Sequence, residues 1–367
     1  MVMGSLVVVI SINLENTHRS DVSAGLSPLA ELMASLHILA EPDHHAEARG
    51  WAGKTAAGID GELWSELRRF SPLWARYRMR LFFPQQKVLN RSIDEEIQEL
   101  HGTAEDLFVP SMANAIRGRA TVWTGAAQVL NSKSWLAECE HKSFNRGDLA
   151  YSLLANQQHF RDDLAAVLDK ARHSFFDPDW EIARPSLEKV ANQINDALTD
   201  TNIADIVASV AQMATRRPGT HTVAFDKLQS GATTVGSRGL LLIPSLRTWP
   251  HVMVKMDTDL PVAVQFMAQE AQRPSSSPSQ QEVRRRLAVL SEPGRWELCR
   301  HLIGESITTS ELARRTHQTE PAVSRHLKLL REAGLVSSQR DGRQVFHRMH
   351  PAVITQLSQD ALSALMR

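Results

Sequence analysis

The sequence predicts a mainly α chain with small β-sheets (an α+β fold), split into a helical N-terminal domain with one small sheet and a smaller C-terminal domain of helices closed by a hairpin. Three observations carry this. Apolar residues recur at helical spacing through most of the first 213 residues. Between 220 and 266 the pattern changes to short β-rich runs set off by Gly, Pro and Asp. A Ser/Pro/Gln-rich stretch, QEAQRPSSSPSQQ at 269–281, carries no core pattern and reads as a flexible linker. The expected organisation is therefore a regulatory or sensor domain at 1–268, a linker at 269–281 and a second domain at 282–367.

Composition agrees with a globular chain: 43% of the 367 residues are apolar and 22% charged. No apolar run approaches the roughly 20 residues of a membrane span. The run at 6–10 is short and has no Lys or Arg before it, so a signal peptide is not expected. The only two cysteines, Cys139 and Cys299, are far apart in sequence, which fits a reducing cytoplasm better than a disulfide framework.

From the N-terminus, 5–14 reads as a strand. Ser27 and Pro28 open a helix with Leu29, Leu32, Met33, Leu36 and Leu39 on one face. Further helices are expected near 42–52, 60–70, 72–82, 92–101 and 103–118, the fourth of these opened by a capping box of Ser92 and Glu95. A longer helical block covers 147–213. Strands are expected at 220–225, 240–244, 252–256 and 262–266.

The C-terminal stretch is the most specific. Thr308 and Glu311 make a second capping box and start a short helix. A second helix begins near Thr319, whose hydroxyl can cap it, with Pro321 in the first turn. Val323, Leu327, Leu330 and Ala333 form its buried stripe, and Gly334 ends it. Two β-rich runs then flank Asp341 and Gly342, a strong hairpin signal. Helix, tight turn, helix and hairpin is the layout of a winged helix-turn-helix, whose second helix enters the DNA major groove. Its outward residues are Glu320, Ser324, Arg325, Lys328 and Arg331, and the hairpin adds Arg340, Arg343 and Arg348. Residues 282–350 hold 13 Lys and Arg against 8 Asp and Glu, a net of +5 in a chain that is neutral as a whole. That asymmetry marks the end that meets polyphosphate.

The segment VSRHLKLLREAGLV at 323–336 resembles the recognition helix and first wing strand of ArsR-type repressors, and LSEPGRWELCRHLIGESITTSELA at 290–313 resembles the helices before them. Two positions depart from that pattern. His317 stands where the turn glycine is usual, and Glu320 where Gln or Ser is commoner. His tolerates a positive φ, so the turn is expected to survive. The stretches at 25–45 and 236–254 resemble an uncharacterised domain that precedes an ArsR-type winged helix in some bacterial regulators. The resemblance implies a regulator that binds inverted-repeat double-stranded DNA as a homodimer. The DNA-contacting set it implies is Thr319, Glu320, Ala322, Ser324, Arg325, Lys328, Arg331, Arg340 and Arg343. The last helix, with Ile354, Leu357, Ala361 and Leu365 on one face, is a candidate dimer contact.

Other candidate sites have plainer readings. His44, His45 and Glu47 could ligate a metal, but adjacent helical positions point about 100° apart, and a solvated polar face is expected. ArsR-type metal sensors carry Cys on the first helix of the motif or Asp/His sets on the last helix. Here the only candidate ligands on those helices are Glu311 and Asp360. Cys299 is read as core, so neither a metal nor a cofactor is expected. Gly231, Gly236, Ser237 and Arg238 faintly suggest a phosphate loop, but the Lys-Ser/Thr pair is missing and a hairpin loop is expected. No catalytic motif appears, so the chain is not read as an enzyme. Seven Trp precede the linker (Trp51, Trp64, Trp74, Trp123, Trp135, Trp180 and Trp249); most are expected to pack the core, while some could wall an apolar ligand pocket. The reading is a cytoplasmic DNA-binding transcriptional regulator, a repressor, whose N-terminal domain senses a small-molecule effector or controls assembly. The alternatives are a metal-responsive repressor of the same type and an enzyme domain fused to a winged helix.

Overall fold

The structure, a computed structural model, describes residues 9–365 except 43–44, 46–47, 76, 211–213, 227–230, 249–250, 258–259, 269–279 and 342–343. The chain forms two compact units, one of residues 1–40 and 52–271, the other of 41–51 and 272–367. Residues 41–51 thus group with the winged-helix end of the chain, which nothing in their composition indicates. Most of the expected linker, 269–279, lies outside the described residues; its last two residues already belong to a helix.

The first unit holds strands β1 (Val9–Asn13) and β2 (Val22–Ala24), then helix α1 (Pro28–Ala40). Further helices follow: α2 (Arg49–Gly58, whose first three residues group with the other unit), α3 (Gly61–Phe70), α4 (Ile93–His101), α5 (Glu105–Arg117), α6 (Ala126–Leu130), α7 (Lys133–Lys142), α8 (Phe144–Ala155), α9 (Gln157–Ala171), α10 (Asp177–Asp200) and α11 (Ile203–Val210). The strands β3 (Ala214–Arg216), β4 (Thr222–Asp226), β5 (Gly231–Thr234), β6 (Leu240–Ser245), β7 (Met253–Lys255) and β8 (Val262–Met267) complete it.

Among the described residues of this unit, two sheets form where one was expected. The first has the order β3-β4-β1-β5 and the second β2-β6-β8-β7. Strand runs are visible in the sequence but their partners are not, and β1 and β2 lie about 200 residues before the strands they join. β6 is buried along its whole length, as a central strand between parallel neighbours must be. Both sheets share one core with α10, through Ile12, Phe225, Leu242, Val264, Leu187 and Ile194 among others. Asn195 of α10 exchanges two 2.8 Å hydrogen bonds with the backbone N–H and C=O of Ala24, continuing the edge of β2. The expected loop at 231–238 is not a hairpin. β5 runs parallel to β1, and a turn at Gly236–Arg238 carries the chain across to β6 in the other sheet.

α1 is buried almost all round, including Glu31, Ser35 and His37, and not only along the apolar stripe its sequence shows. A helix apolar on most sides belongs inside. Glu96 of α4 seals its start, accepting from the Leu29 N–H (2.8 Å) and the Ser27 hydroxyl (3.0 Å). Ser92 and Glu95 form the expected reciprocal capping box of α4. The expected helix at 72–82 is replaced by two single 3-10 turns, Ser71–Leu73 and Arg80–Phe82. Pro72 and Pro84 bracket this segment, and its backbone is held by side chains instead. The Arg80 guanidinium donates to the carbonyls of Phe83, Pro84 and Pro261. The helix expected at 42–52 begins only at Arg49. His45, expected on a solvated face, is fully buried, while His44 and Glu47 lie outside the described residues.

The second unit contains α12 (Gln280–Leu290), α13 (Pro293–Leu302), β9 (Ile307–Thr308), α14 (Thr309–Thr316), α15 (Glu320–Glu332), β10 (Val336–Asp341), β11 (Gln344–Met349) and α16 (Pro351–Leu365). Its three-stranded sheet has the order β10-β11-β9. Val323, Leu327 and Leu330 of α15 meet Leu298, Leu302, Leu312, Leu335 and Met349 in one core. α12 packs on α16, and Leu357 of α16 is buried in that core, so part of the expected dimer face is used within the chain.

Candidate nucleic-acid interface

The turn between α14 and α15 is made as expected. His317 adopts the left-handed conformation, φ 53°, and closes α14 by donating its N–H to the Ala313 carbonyl. Gly334 (φ 68°) ends α15. Its N–H reaches the Arg331 carbonyl and the Leu335 N–H the Leu330 carbonyl, both at 2.8 Å, a Schellman closure. Two capping expectations need correction. Thr319 stands at the N-cap of α15, but its hydroxyl makes no capping bond there. Thr308 does cap α14, accepting from the Glu311 N–H, yet the Glu311 carboxylate turns to Arg314 and Arg315. Those guanidiniums hold the Glu311 carboxyl below the usual carboxylate range.

That detail separates the two helices electrically. The cations of α14 are neutralised: Arg314 by Glu311 at 2.7 Å, and Arg315 by both Glu311 and Glu305. On α15, Arg325 and Arg331 are exposed and have no acidic partner among the described residues, and Lys328 reaches Glu332 only at 3.9 Å. Thr319, Glu320 and Ser324 are exposed beside them, and Ala322 is half-buried. The residues that carry positive charge outward are therefore those of the second helix.

The hairpin extends one residue further than its turn signal suggests, because Asp341 pairs with Gln344 inside the ladder. Arg343 and Gly342 lie outside the described residues. Arg340 is exposed on β10. Arg348 of β11 differs from both: its guanidinium pairs with Glu41, a residue of the 41–51 segment of this unit.

Sequence reasoning missed His347. It is buried on β11, with Nδ1 2.8 Å from the Ser338 hydroxyl and Nε2 2.9 Å from the Thr309 hydroxyl, joining the wing to the first turn of α14. The Asp341-Gly342 turn signal would set Ser338 opposite Val345, so the register that sets it opposite His347 had no signal in the sequence. Burial, with a smaller contribution from the Arg331 charge, holds its pKa below the ordinary histidine value. A depressed imidazole pKa gives stability that is complete above the unfolded value of about 6.5 and is lost as pH falls through the folded value. Hydrogen-exchange protection of β10 and β11 is therefore expected to drop between pH 7.5 and pH 5.5 in the native chain, and to change much less in His347→Gln. Equal drops in both proteins would show that another group is responsible.

Cys299 is a core residue, and burial pushes its thiol up to about 11. His301 lies 3.5 Å from Glu297 on the same helix. No helix among the described residues is long and apolar enough to cross a membrane.

A three-helix core, a tight turn with an outward basic second helix and a two-stranded wing define a winged helix-turn-helix domain, and residues 292–338 match the family described as bacterial regulatory protein, arsR family. The chain belongs to the family of unknown function DUF5937, whose profile covers residues 8–272. The winged-helix region is similar to the HTH-type transcriptional regulator KmtR of Mycobacterium tuberculosis, 34% identical over 74 residues, which are 20% of this chain and 57% of that protein. The chain thus spans little more than half the length of that relative. It is also 30% identical over 94 residues to a biofilm growth-associated repressor of Agrobacterium fabrum, covering 26% of this chain and 80% of that protein. Among solved structures, an ArsR-like transcriptional regulator from Rhodococcus sp. RHA1 matches at 28% identity and a TM-score of 0.23, over 23% of this chain and 81% of that one.

Proposed function

We propose that this protein is a cytoplasmic DNA-binding transcriptional regulator, acting as a repressor and not as an enzyme. The observation that carries the reading is the charge contrast within the winged helix. The α14 arginines are paired with carboxylates, whereas Arg325 and Arg331 of α15 face solvent without acidic partners among the described residues. In this reading Ser324 and Arg325 reach base edges, and Lys328, Arg331, Arg340 and Arg343 contact phosphates, with Thr319, Glu320 and Ala322 at the leading end of the helix. A homodimer on an inverted repeat follows from the two-fold use of such domains. The N-terminal domain senses a small molecule or controls assembly. Support for sensing is a cavity in the first unit lined by Trp64 and Trp74. The test is a gel-shift and footprinting series with the full chain on the DNA around its own gene. Absence of any sequence-preferring complex at low salt would remove the reading.

The ion pair of Arg348 with Glu41 gives a second expected result. Removing the Glu41 carboxylate raises the net charge beside the wing by one. Glu41→Gln should therefore tighten binding to all DNA sequences about equally and steepen the dependence of log K on log salt by about one unit. An unchanged slope would mean that Arg348 does not face the DNA.

A further inference from the structure

A cleft of about 300 Å³ opens in the first unit between the last turns of α1, α3 and the turn that follows α3. It is lined by Leu36, Leu39, Leu67, Trp64 and Trp74; of these Trp64 is half-buried, while Trp74 is 1% exposed and belongs to the core beneath. Its size is at the lower end of small-molecule sites, large enough for one or two fused rings. Polar groups lie at its edge. Ser71 and Asn145 both donate to the Arg68 carbonyl, at 2.8 and 3.0 Å, and so fix the rim backbone. The guanidinium of Arg68 is exposed and has no acidic partner among the described residues. Its neighbour Arg69 is treated in the opposite way, held by Asp148 at 2.7 Å, Asp163 at 3.6 Å and the Ser152 hydroxyl at 2.7 Å. One turn of α3 thus carries a neutralised arginine facing α8 and α9, and an uncompensated one among the residues that line the aromatic cleft.

We infer that this cleft binds a small aromatic carboxylate, its ring against the half-buried Trp64 and its carboxylate on the Arg68 guanidinium. An indole at the cleft favours a flat apolar body. A guanidinium matches a carboxylate with two parallel hydrogen bonds, which a neutral ligand cannot accept with the same strength. The inference rests on the sensing role proposed above and names its ligand class. The cleft also stands at a useful point of the chain. Ala40, at its wall, is the last residue of α1 and of the first unit, and the next residue is Glu41, which holds Arg348 in the second.

The test is calorimetric titration of the full-length protein with benzoate, indole-3-acetate and 2-naphthoate, and with neutral 2-naphthamide. One site per chain is expected, with the bicyclic carboxylates tighter than benzoate. Arg68→Gln, an exposed substitution, should weaken the carboxylates about tenfold and leave the amide unchanged, whereas Trp64→Ala should weaken both. Circular dichroism checks that each variant is folded, and Trp64→Phe, which keeps a ring, should restore part of the affinity. No saturable binding of any of the carboxylates at millimolar concentration overturns the inference, as does binding that neither variant alters. Because calorimetry reads the cleft without DNA, its failure is separable from failure of the DNA-binding reading, which the gel shifts report.

Discussion

Arg325→Ala is expected to cost ~1–3 kcal/mol of affinity for the specific site, the worth of one bidentate contact to a base, and to leave binding to unrelated DNA nearly intact. The side chain is exposed on the second helix and has no acidic partner among the described residues, so its removal should not unsettle the fold. Arg331→Ala, a phosphate contact in this reading, should instead lower binding to specific and unrelated DNA by similar factors and flatten the salt slope by about one unit. Competition gel shifts with both variants separate the two roles. Full discrimination retained by Arg325→Ala would place the recognition face elsewhere on α15.

The second large effect concerns Glu96. Its carboxyl is buried at the start of α1, and burial outweighs the hydrogen bonds from Leu29 and Ser27 and pushes its pKa up to about 8. A carboxyl whose folded pKa lies above its unfolded one binds a proton more tightly in the folded state. Its contribution is therefore complete below pH ~4.5 and is lost as pH rises towards 8. Across that window the loss is on the order of 5 kcal/mol, since a tenfold difference in proton affinity between the folded and unfolded chain corresponds to about 1.4 kcal/mol. Denaturant unfolding of the native chain between pH 5 and pH 8.5 should show the first unit weakening steadily. Glu96→Gln, which cannot ionise, should flatten the profile. A native profile that rises towards pH 8 would show that the hydrogen bonds, and not burial, dominate at this carboxyl.

How much of this was legible in the sequence differs between the two ends of the chain. In the winged helix the relevant forces are local. The apolar stripe of α15, the permissive turn at His317 and the closing Gly334 each act within a few residues and appear where expected, while the hairpin forms with its ladder one residue longer than the turn signal suggests. Even there, side-chain competition escaped the pattern. Glu311 has the spacing of a capping box, yet two nearby guanidiniums offer it charge-assisted bonds stronger than one backbone N–H. The pairing of Arg348 with Glu41 joins residues 307 positions apart, beyond any local rule.

In the first unit the sequence by itself determined the class of most elements: mainly helices, then short strands; that α1 is buried on nearly every side, and not only along its apolar stripe, was decided by the tertiary structure. Only the tertiary structure decided how those strands divide, because pairing depends on which distant segments meet, and β1 and β2 each found partners in different sheets. It also decided how deeply each Trp is buried. Trp135 is fully buried and donates to the Ala113 carbonyl, while Trp64 stays half-buried at the cleft. Residue type sets what a side chain can do. Whether Arg68 is left uncompensated while Arg69 is held by two aspartates depends on what α8 and α9 bring to each side of α3, and that is settled by packing.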